Sequence, residues 1–291
     1  MRFCKDFNDY ELIDAVSGER LERWGDIILI RPDPQIIWDG KKKDSRWHSA
    51  HAVYHRSQSG GGYWEQLKSV PDVWSIKFKE LTFNLKPMGF KHTGLFPEQS
   101  VNWDLCADVI KNSNRELKVL NLFAYTGGAT VSALAAGAAV THVDASKGMV
   151  GWAKENAVAC GLADRPVRWL VDDCLKFVQR EIRRGNKYDG IIMDPPSYGR
   201  GPNGEVWKLE QSLSELLRSV GEILSDDAEF FLLNSYTGGL SPTILNYMVK
   251  QLVVKNRSGE VKTDEIGLPV TNRDIVLPCG NTTYWIKEIN G

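Results

Sequence analysis

A chain of 291 residues, 42% hydrophobic and 25% charged, has ordinary globular composition and room for one large α/β domain plus a smaller one. Its net charge of −1 excludes a general polyanion binder, so any nucleic-acid contact must come from a local patch. No apolar run reaches the ~18 residues of a membrane span, and the N-terminus carries no signal-peptide core. The five cysteines form no C-x-x-C, which argues against a disulfide frame or zinc knuckle and for a reducing, cytoplasmic compartment.

Residues 1–95 read as a small antiparallel β-rich domain. Ile27–Ile30 is a strand-like run closed by Arg31-Pro32-Asp33-Pro34, which cannot be helical. Trp74, Ile76 and Phe78 alternate with polar residues, as do Leu81, Phe83 and Leu85, with a phase shift at Lys79-Glu80. That pattern predicts two strands or one bulged strand. Lys41-Lys42-Lys43, Arg46 and Arg56 lie among Trp47, Tyr54, Tyr63 and Trp64. This mixture suits single-stranded RNA, and it equally suits a solvated charge run beside core aromatics. His48, His51 and His55 have no cysteine or carboxylate pattern around them, so no metal site is assigned.

A linking segment, Gly89–Gln99, precedes a helix predicted over Val101–Ile110 with Ser100 as its N-cap. From Lys118 the pattern becomes alternating strand and helix, the signature of a parallel sheet. Strands are predicted at Val119–Phe123, Val140–Val143, Val167–Val171, Gly190–Met193 and Glu229–Leu233. The helices are predicted at Ala129–Ala136, Lys147–Cys160, Leu175–Arg184, Leu209–Leu224 and Pro242–Val254. The tail from Val261 is expected to form an antiparallel pair closing the sheet.

The first four strands end in residues able to face a ligand. These are Thr126-Gly127-Gly128, then Asp144, then Asp172-Asp173, then Asp194 followed by Pro195-Pro196. Glycines permit positive φ and leave no Cβ between backbone and ligand. A carboxylate ending the second strand can accept both hydroxyls of a ribose, and in open parallel sheets ligands bind outside these strand ends. A single aspartate is explained as a turn former; three in register with a glycine turn are not. The nucleoside cofactor is then NAD or S-adenosylmethionine. G-x-G-x-x-G is absent, and D-P-P-S-Y (Asp194–Tyr198) has no role in hydride transfer. Its prolines stiffen the loop and leave carbonyls free to accept hydrogen bonds from a base.

N-L-F-A-Y-T-G-G, V-D-A-S and D-P-P-S-Y together resemble a class I S-adenosylmethionine-dependent methyltransferase. The closer resemblance is to the large-subunit ribosomal RNA cytosine-5 and guanine-7 methyltransferases and their relatives. K-H-T-G-L-F-P-E-Q is similar to that group's K-T-G-x-F-x-x-Q segment, and L-E-R-W-G with R-P-D-P-Q-I-I-W is similar to its upstream β region. The resemblance covers most of the chain and is more specific for cofactor and fold than for substrate.

It implies a Rossmann-like doubly wound methyltransferase sheet over residues 96–291, an S-adenosylmethionine cofactor and an RNA substrate. Phe123, Ala124, Tyr125, Thr126, Gly127 and Gly128 would line the methionine part, and Asp144 would hold the ribose. Ala145 and Ser146 would flank the adenine, and Asp172, Asp173 and Cys174 would lie at its amine edge. Phe96 and Gln99 would approach from the linking segment, while Asp194, Pro195, Pro196 and Tyr198 would face the target. The chain departs from the cytosine-5 pattern, since its fifth strand ends in Asn234-Ser235-Tyr236 rather than a cysteine. Cys279 is the one cysteine left that could reach a target, so methylation of a base nitrogen is expected. Arg200–Lys208 is a glycine-rich loop placed to be a lid or a passive connection. The alternatives are a small-molecule or protein methyltransferase, favoured by the near-neutral charge, and a cofactor-binding module without catalysis.

Overall fold

The computed structural model describes residues 1–57, 61–200, 206–236 and 239–288. The chain divides into two units, 2–100 with 267–279, and 101–266 with 280 onward.

The N-terminal unit holds β1 (Arg2–Phe3), β2 (Tyr10–Val16), β3 (Glu19–Trp24), β4 (Ile27–Pro32), β5 (Ala52–Arg56) and β6 (Gly62–Gln66). Strands β2 to β6 lie side by side in chain order. The pairs are antiparallel except β4–β5, which is parallel. β7 (Trp74–Phe78) and β8 (Leu81–Leu85) form a separate hairpin, and the phase shift falls on the turn, where Lys79 has φ +52°. Ile13, Leu21, Ile30 and Trp47 pack into this unit's core. The 267–279 segment joins it through Val270, paired with Leu12.

The second unit starts with α1 (Ser100–Asn112), β9 (Lys118–Leu122), α2 (Gly128–Ala135), β10 (Ala139–Asp144) and α3 (Lys147–Ala159). Then come β11 (Val167–Val171), α4 (Cys174–Arg184), β12 (Gly190–Met193), β13 (Tyr198–Arg200) and β14 (Val206–Lys208). The chain closes with α5 (Leu209–Ile223), β15 (Phe230–Ser235), α6 (Pro242–Leu252), β16 (Glu260–Val270) and β17 (Ile275–Ile286). The expected strands and helices all appear, with ends shifted by at most two residues. Ser100 is not an N-cap, because its hydroxyl donates to Pro97 O at 2.7 Å. A one-turn helix, Pro97–Gln99, leads into α1 and occupies the position a cap would take.

The sheet runs β11-β10-β9-β12-β15-β17. The first five strands are parallel, and β17 pairs antiparallel with β15. Both faces are covered, as continuous apolar strands require. Leu120, Leu122, Ile191 and Met193 pack with residues of α4, α5 and α6. Val119, Val140, Ile192 and Leu232 pack with residues of α1 and α2. This is the doubly wound arrangement. The chain leaves β9 toward β10 and β11, then returns to β12 on the other side, so the strand order switches between β9 and β12.

Candidate active site

The switch point brings the predicted strand ends together. Leu122 pairs with Val143 and with Met193, Asp144 with Val171, and Met193 with Leu233. Phe123, Asp144, Asp172, Asp194 and Asn234 therefore stand along one edge of the sheet.

The turn from Phe123 to Gly127 is strained and firmly held. Phe123, Tyr125 and Gly127 have φ of +55°, +51° and +83°, a region non-glycine residues rarely occupy. Neighbouring elements hold its backbone. Phe123 N–H donates to Cys174 Sγ at 3.3 Å, Ala124 N–H to Val143 O at 3.1 Å, and Tyr125 N–H to Asp144 Oδ2 at 2.8 Å. Thr126 O accepts from Asn156 Nδ2 at 2.8 Å. Strain at this level persists only where the surroundings over-determine it, and such residues cluster at ligand sites.

The glycines act differently from the expectation. A Cβ on Gly127 would lie 2.8 Å from Ala153 Cβ, and one on Gly128 would lie 2.6 Å from Trp103 Cζ2. The space a side chain would fill is thus occupied by protein. These glycines let α2 approach α1 and α3, and Gly127 also supplies the positive φ. Beneath them, Asn121 Nδ2 donates to Thr130 Oγ1 at 2.9 Å, and Thr130 Oγ1 lies 2.9 Å from His142 Nδ1. Burial pulls His142 down to about 3, so the ring is neutral.

Asp144 is the best-placed acceptor. Its Oδ2 takes the Tyr125 N–H and its Oδ1 takes the Ser146 N–H, each at 2.8 Å. A carboxylate has about four lone-pair directions, so two remain. Burial holds this carboxyl above the usual carboxylate range, against the lowering effect of those two bonds. Ser146 caps α3, accepting from Met149 N at 3.4 Å, and Asp173 caps α4, accepting from Lys176 N at 2.8 Å. Asp172 pairs with Arg180. Cys174 is buried, its thiol is pushed up by burial, and it faces the turn rather than open space.

The loop after β12 is anchored through side chains. Asp194 Oδ1 accepts from Asn234 Nδ2 at 3.1 Å, Asn234 Oδ1 accepts from Thr282 Oγ1 at 2.9 Å, and Thr282 Oγ1 accepts from Asn102 Nδ2 at 2.9 Å. The carbonyls expected to be free are not all so. Pro196 O accepts from Trp207 Nε1 at 2.7 Å, and Ser197 O accepts from Leu209 N–H at 3.1 Å. Trp207 also sits 5.5 Å from the Phe123 ring centroid, at 47°. Tyr198 is 52% exposed. Of the glycine-rich loop Arg200–Lys208, residues 201–205 lie outside the described residues, and its flanks pair as β13 and β14.

Phe96 and Gln99 belong to the N-terminal unit, where Phe96 precedes the one-turn helix and packs on His92 at 5.2 Å. Among the histidines, His51 Nδ1 accepts from Ile28 N–H at 3.0 Å and His55 lies 2.6 Å from Glu65. Sequence reasoning missed Asn156, Trp207, Asn234 as an anchor, Thr282 and Asn102. Trp207 alone carried a visible signal, an isolated tryptophan closing a glycine-rich loop.

A family model for S-adenosylmethionine-dependent methyltransferases matches residues 46–242. The chain belongs to that family. A solved methyltransferase from Agrobacterium tumefaciens is 37% identical and superposes with a TM-score of 0.93, covering 98% of this chain and 93% of that one. A methyltransferase from Streptococcus mutans shares the fold at 19% identity, with a TM-score of 0.73 and coverages of 97% and 76%. Among curated proteins, a ribosomal RNA large subunit methyltransferase K/L of Shewanella frigidimarina is 35% identical over 172 residues, 58% of this chain and 23% of that protein. The same enzyme of Pseudoalteromonas atlantica is 31% identical over 250 residues, 78% of this chain and 34% of that protein. The matches thus span about a quarter to a third of those relatives. As a family member this chain is a methyltransferase with S-adenosylmethionine as its cofactor. The residues present fit that group, since Asp144 keeps lone pairs for a diol beside a backbone turn already fixed in shape. No helix among the described residues is long and apolar enough to cross a membrane.

Proposed function

We propose that this methyltransferase acts on an RNA base, with ribosomal RNA as the substrate class and a ring or amino nitrogen as the acceptor. The observation that carries the substrate class is the likeness to the two ribosomal RNA methyltransferases. S-adenosylmethionine supplies an already activated methyl group, so the protein's task is orientation, exclusion of water and removal of a proton. The turn Phe123–Gly128 binds the methionine end through backbone groups, and Asp144 accepts the ribose hydroxyls. Ala145, Ser146, Asp172, Asp173 and Cys174 surround the adenine. Asp194, held at Oδ1 by Asn234, takes the proton, and Tyr198 stacks on the base. Pro195 and Pro196 stiffen the loop that presents both.

The residues at the strand ends favour a nitrogen acceptor. Carbon 5 of a pyrimidine requires prior thiolate addition to the ring, and the ends of β12 and β15 carry Asp194 and Asn234-Ser235. Cys279 is buried, its thiol pushed well up by burial and donating to Leu277 O at 3.5 Å, which disfavours a thiolate. Residues 1–95 serve substrate recognition, residues 96–291 serve methyl transfer, and the compartment is the cytoplasm. The net charge of −1 favours a second reading, a small-molecule or protein acceptor.

The test is mass spectrometry of RNA nucleosides from cells with and without the protein, with transfer of labelled methyl to the undermethylated RNA in vitro. Loss of one N-methylated nucleoside is expected. A lost 5-methylpyrimidine overturns the nitrogen assignment, and an unchanged nucleoside profile overturns the RNA reading.

A further inference from the structure

One face of the N-terminal sheet carries a tied-down strap. Register sets Arg20 beside Arg31 across β3 and β4, and Tyr54 beside Trp64 across β5 and β6. The segment Met88–Lys91 crosses these side chains with its carbonyls turned toward them. Trp64 Nε1 donates to Met88 O at 3.0 Å and to Phe90 O at 3.3 Å. Tyr54 Oη reaches Gly89 O at 3.5 Å, and Arg31 Nη1 donates to Lys91 O at 2.9 Å. All four successive carbonyls are thus bonded by sheet side chains. Pinned by its carbonyls, the strap leaves Phe90 59% exposed.

The charges around the strap do not cancel. Arg31 forks onto Glu22 at 2.6 and 2.8 Å, and Arg20 lies 3.7 Å from both Glu22 and Asp33. That accounts for two cations and two carboxylates. Lys91 and Arg56 are left over. Lys91 Nζ donates only to a carbonyl, Pro32 O at 3.3 Å, and neither cation has a carboxylate partner among the described residues. Arg56 is exposed and follows Tyr54 by two residues, which puts it on the same face of β5. Burial, together with the charges of Arg20, Arg31 and Arg56, pulls Lys91 down to about 8. Two members of the charge run singled out from sequence are already neutralised. Arg46 is held by Asp44 at 2.8 Å and Glu11 at 3.4 Å, and Lys42 pairs with Glu19 over the Trp47 ring.

An exposed aromatic ring on a pinned backbone, with two cations that lack a carboxylate partner on the same face, has the chemistry of a single-stranded nucleic-acid platform. We infer that the strap Met88–Lys91, with Arg56, binds single-stranded RNA, Phe90 stacking on a base while Lys91 and Arg56 meet the flanking phosphates. The inference rests on the reading of RNA as substrate. RNA fits better than a protein partner, because the patch offers one exposed ring and two cations without a carboxylate partner among the described residues.

The test is fluorescence anisotropy of the full chain with a labelled single-stranded RNA of about twelve nucleotides, read at several salt concentrations. Phe90→Ala is expected to weaken binding about tenfold, the scale of one lost stack, with the salt slope unchanged. Lys91→Gln and Arg56→Gln are each expected to lower the slope by about 0.7, the loss of one phosphate contact. Lys42→Gln is expected to change neither. Thermal melts check that the variants are folded. If the wild type methylates RNA and the Phe90, Lys91 and Arg56 variants bind it like the wild type, the platform is overturned and the substrate reading stands. If the wild type neither binds nor methylates RNA, the substrate reading falls and takes the platform with it.

Discussion

The turn after β9 and the loop after β12 leave paired strand ends, Leu122 beside Met193, yet they are held in different ways. The first is held by its backbone. Three N–H groups and one carbonyl are bonded by Cys174, Val143, Asp144 and Asn156, and three of its residues have positive φ. The second adds side-chain anchors, Asn234 on Asp194 and Trp207 on Pro196, to backbone bonds at its two ends, Asp194 N–H to Leu122 O and Leu209 N–H to Ser197 O, with no positive φ among 194–198. The contrast suits the two tasks. On the proposed assignment, a cofactor of constant shape is met by fixed backbone, whereas a reacting base is met by a side chain whose atoms take part in the chemistry. Turn side chains should therefore be replaceable at the first site but not at the second.

The largest effect is expected at the second site. Asp194→Asn keeps the shape and removes the proposed proton acceptor, so kcat should fall by about 10²–10⁴, the usual contribution of a general base. Affinity for S-adenosylhomocysteine, read by calorimetry, should hardly change. A variant with full turnover would show that the proton leaves by another route.

At the first site the sensitive positions are those behind the turn. Gly127→Ala places a Cβ 2.8 Å from Ala153 Cβ at φ +83°. Left-handed backbone costs about 1–2 kcal/mol and overpacking about 1–3 kcal/mol, so thermal unfolding should show a loss of about 2 kcal/mol or more. Phe123→Leu keeps an apolar side chain against Trp207 and the N–H held by Cys174, so it should cost less stability than Gly127→Ala and leave cofactor affinity near wild type. Equal sensitivity at the two positions would break the comparison.

Asp144→Ala should weaken cofactor binding by about 1.5–3 kcal/mol, the scale of a charged hydrogen bond. Its pH dependence has a definite sign. Burial raises the folded carboxyl above its unfolded value. Ionisation therefore costs the cofactor-free fold stability as pH rises through that window, and the stability returns as pH falls through it. Ribose hydroxyls bond to the ionised form, so affinity should drop as pH falls below the raised value. Calorimetry across that window should find proton release on binding near it, and no release would place the ribose elsewhere.

The sequence made one half of this picture legible. The parallel strands are continuous apolar runs, each stopped by a carboxylate or a glycine turn, so their ends and their alignment follow from local pattern. The N-terminal strands were harder to read because the buried positions include charges. Arg20, Glu22 and Arg31 are all under 9% exposed and break the alternation that marks a half-buried strand. Their compensation comes from across the strands, Arg31 forking onto Glu22 nine residues away, and Lys42 likewise pairs with Glu19, 23 residues away. The same holds for the anchors of the site. Asn156 lies 30 residues from the carbonyl it holds, and Asn102 lies 180 residues from Thr282. A polar residue inside a helix reads locally as a solvent face, and only the fold shows it to be buried.

The smallest expected effect tests how far the side-chain anchoring reaches. Thr282 is fully buried. Its hydroxyl accepts from Asn102 and gives its proton to Asn234 Oδ1, which leaves the Asn234 amide to donate to Asp194. This order of donors is the one an ionised Asp194 needs, since a carboxylate can only accept. Thr282→Val removes the hydroxyl at nearly constant volume. Asn234 then loses the bond that fixes which of its two ends faces Asp194, and the flipped amide would set an oxygen against a carboxylate. The loss should be about 1 kcal/mol on the barrier, a severalfold fall in kcat, with KM for S-adenosylmethionine unchanged. Thr282→Ser keeps the hydroxyl and should restore most of the rate. Full activity in Thr282→Val would show that Asp194 is oriented by its own loop, and the second site would then resemble the first.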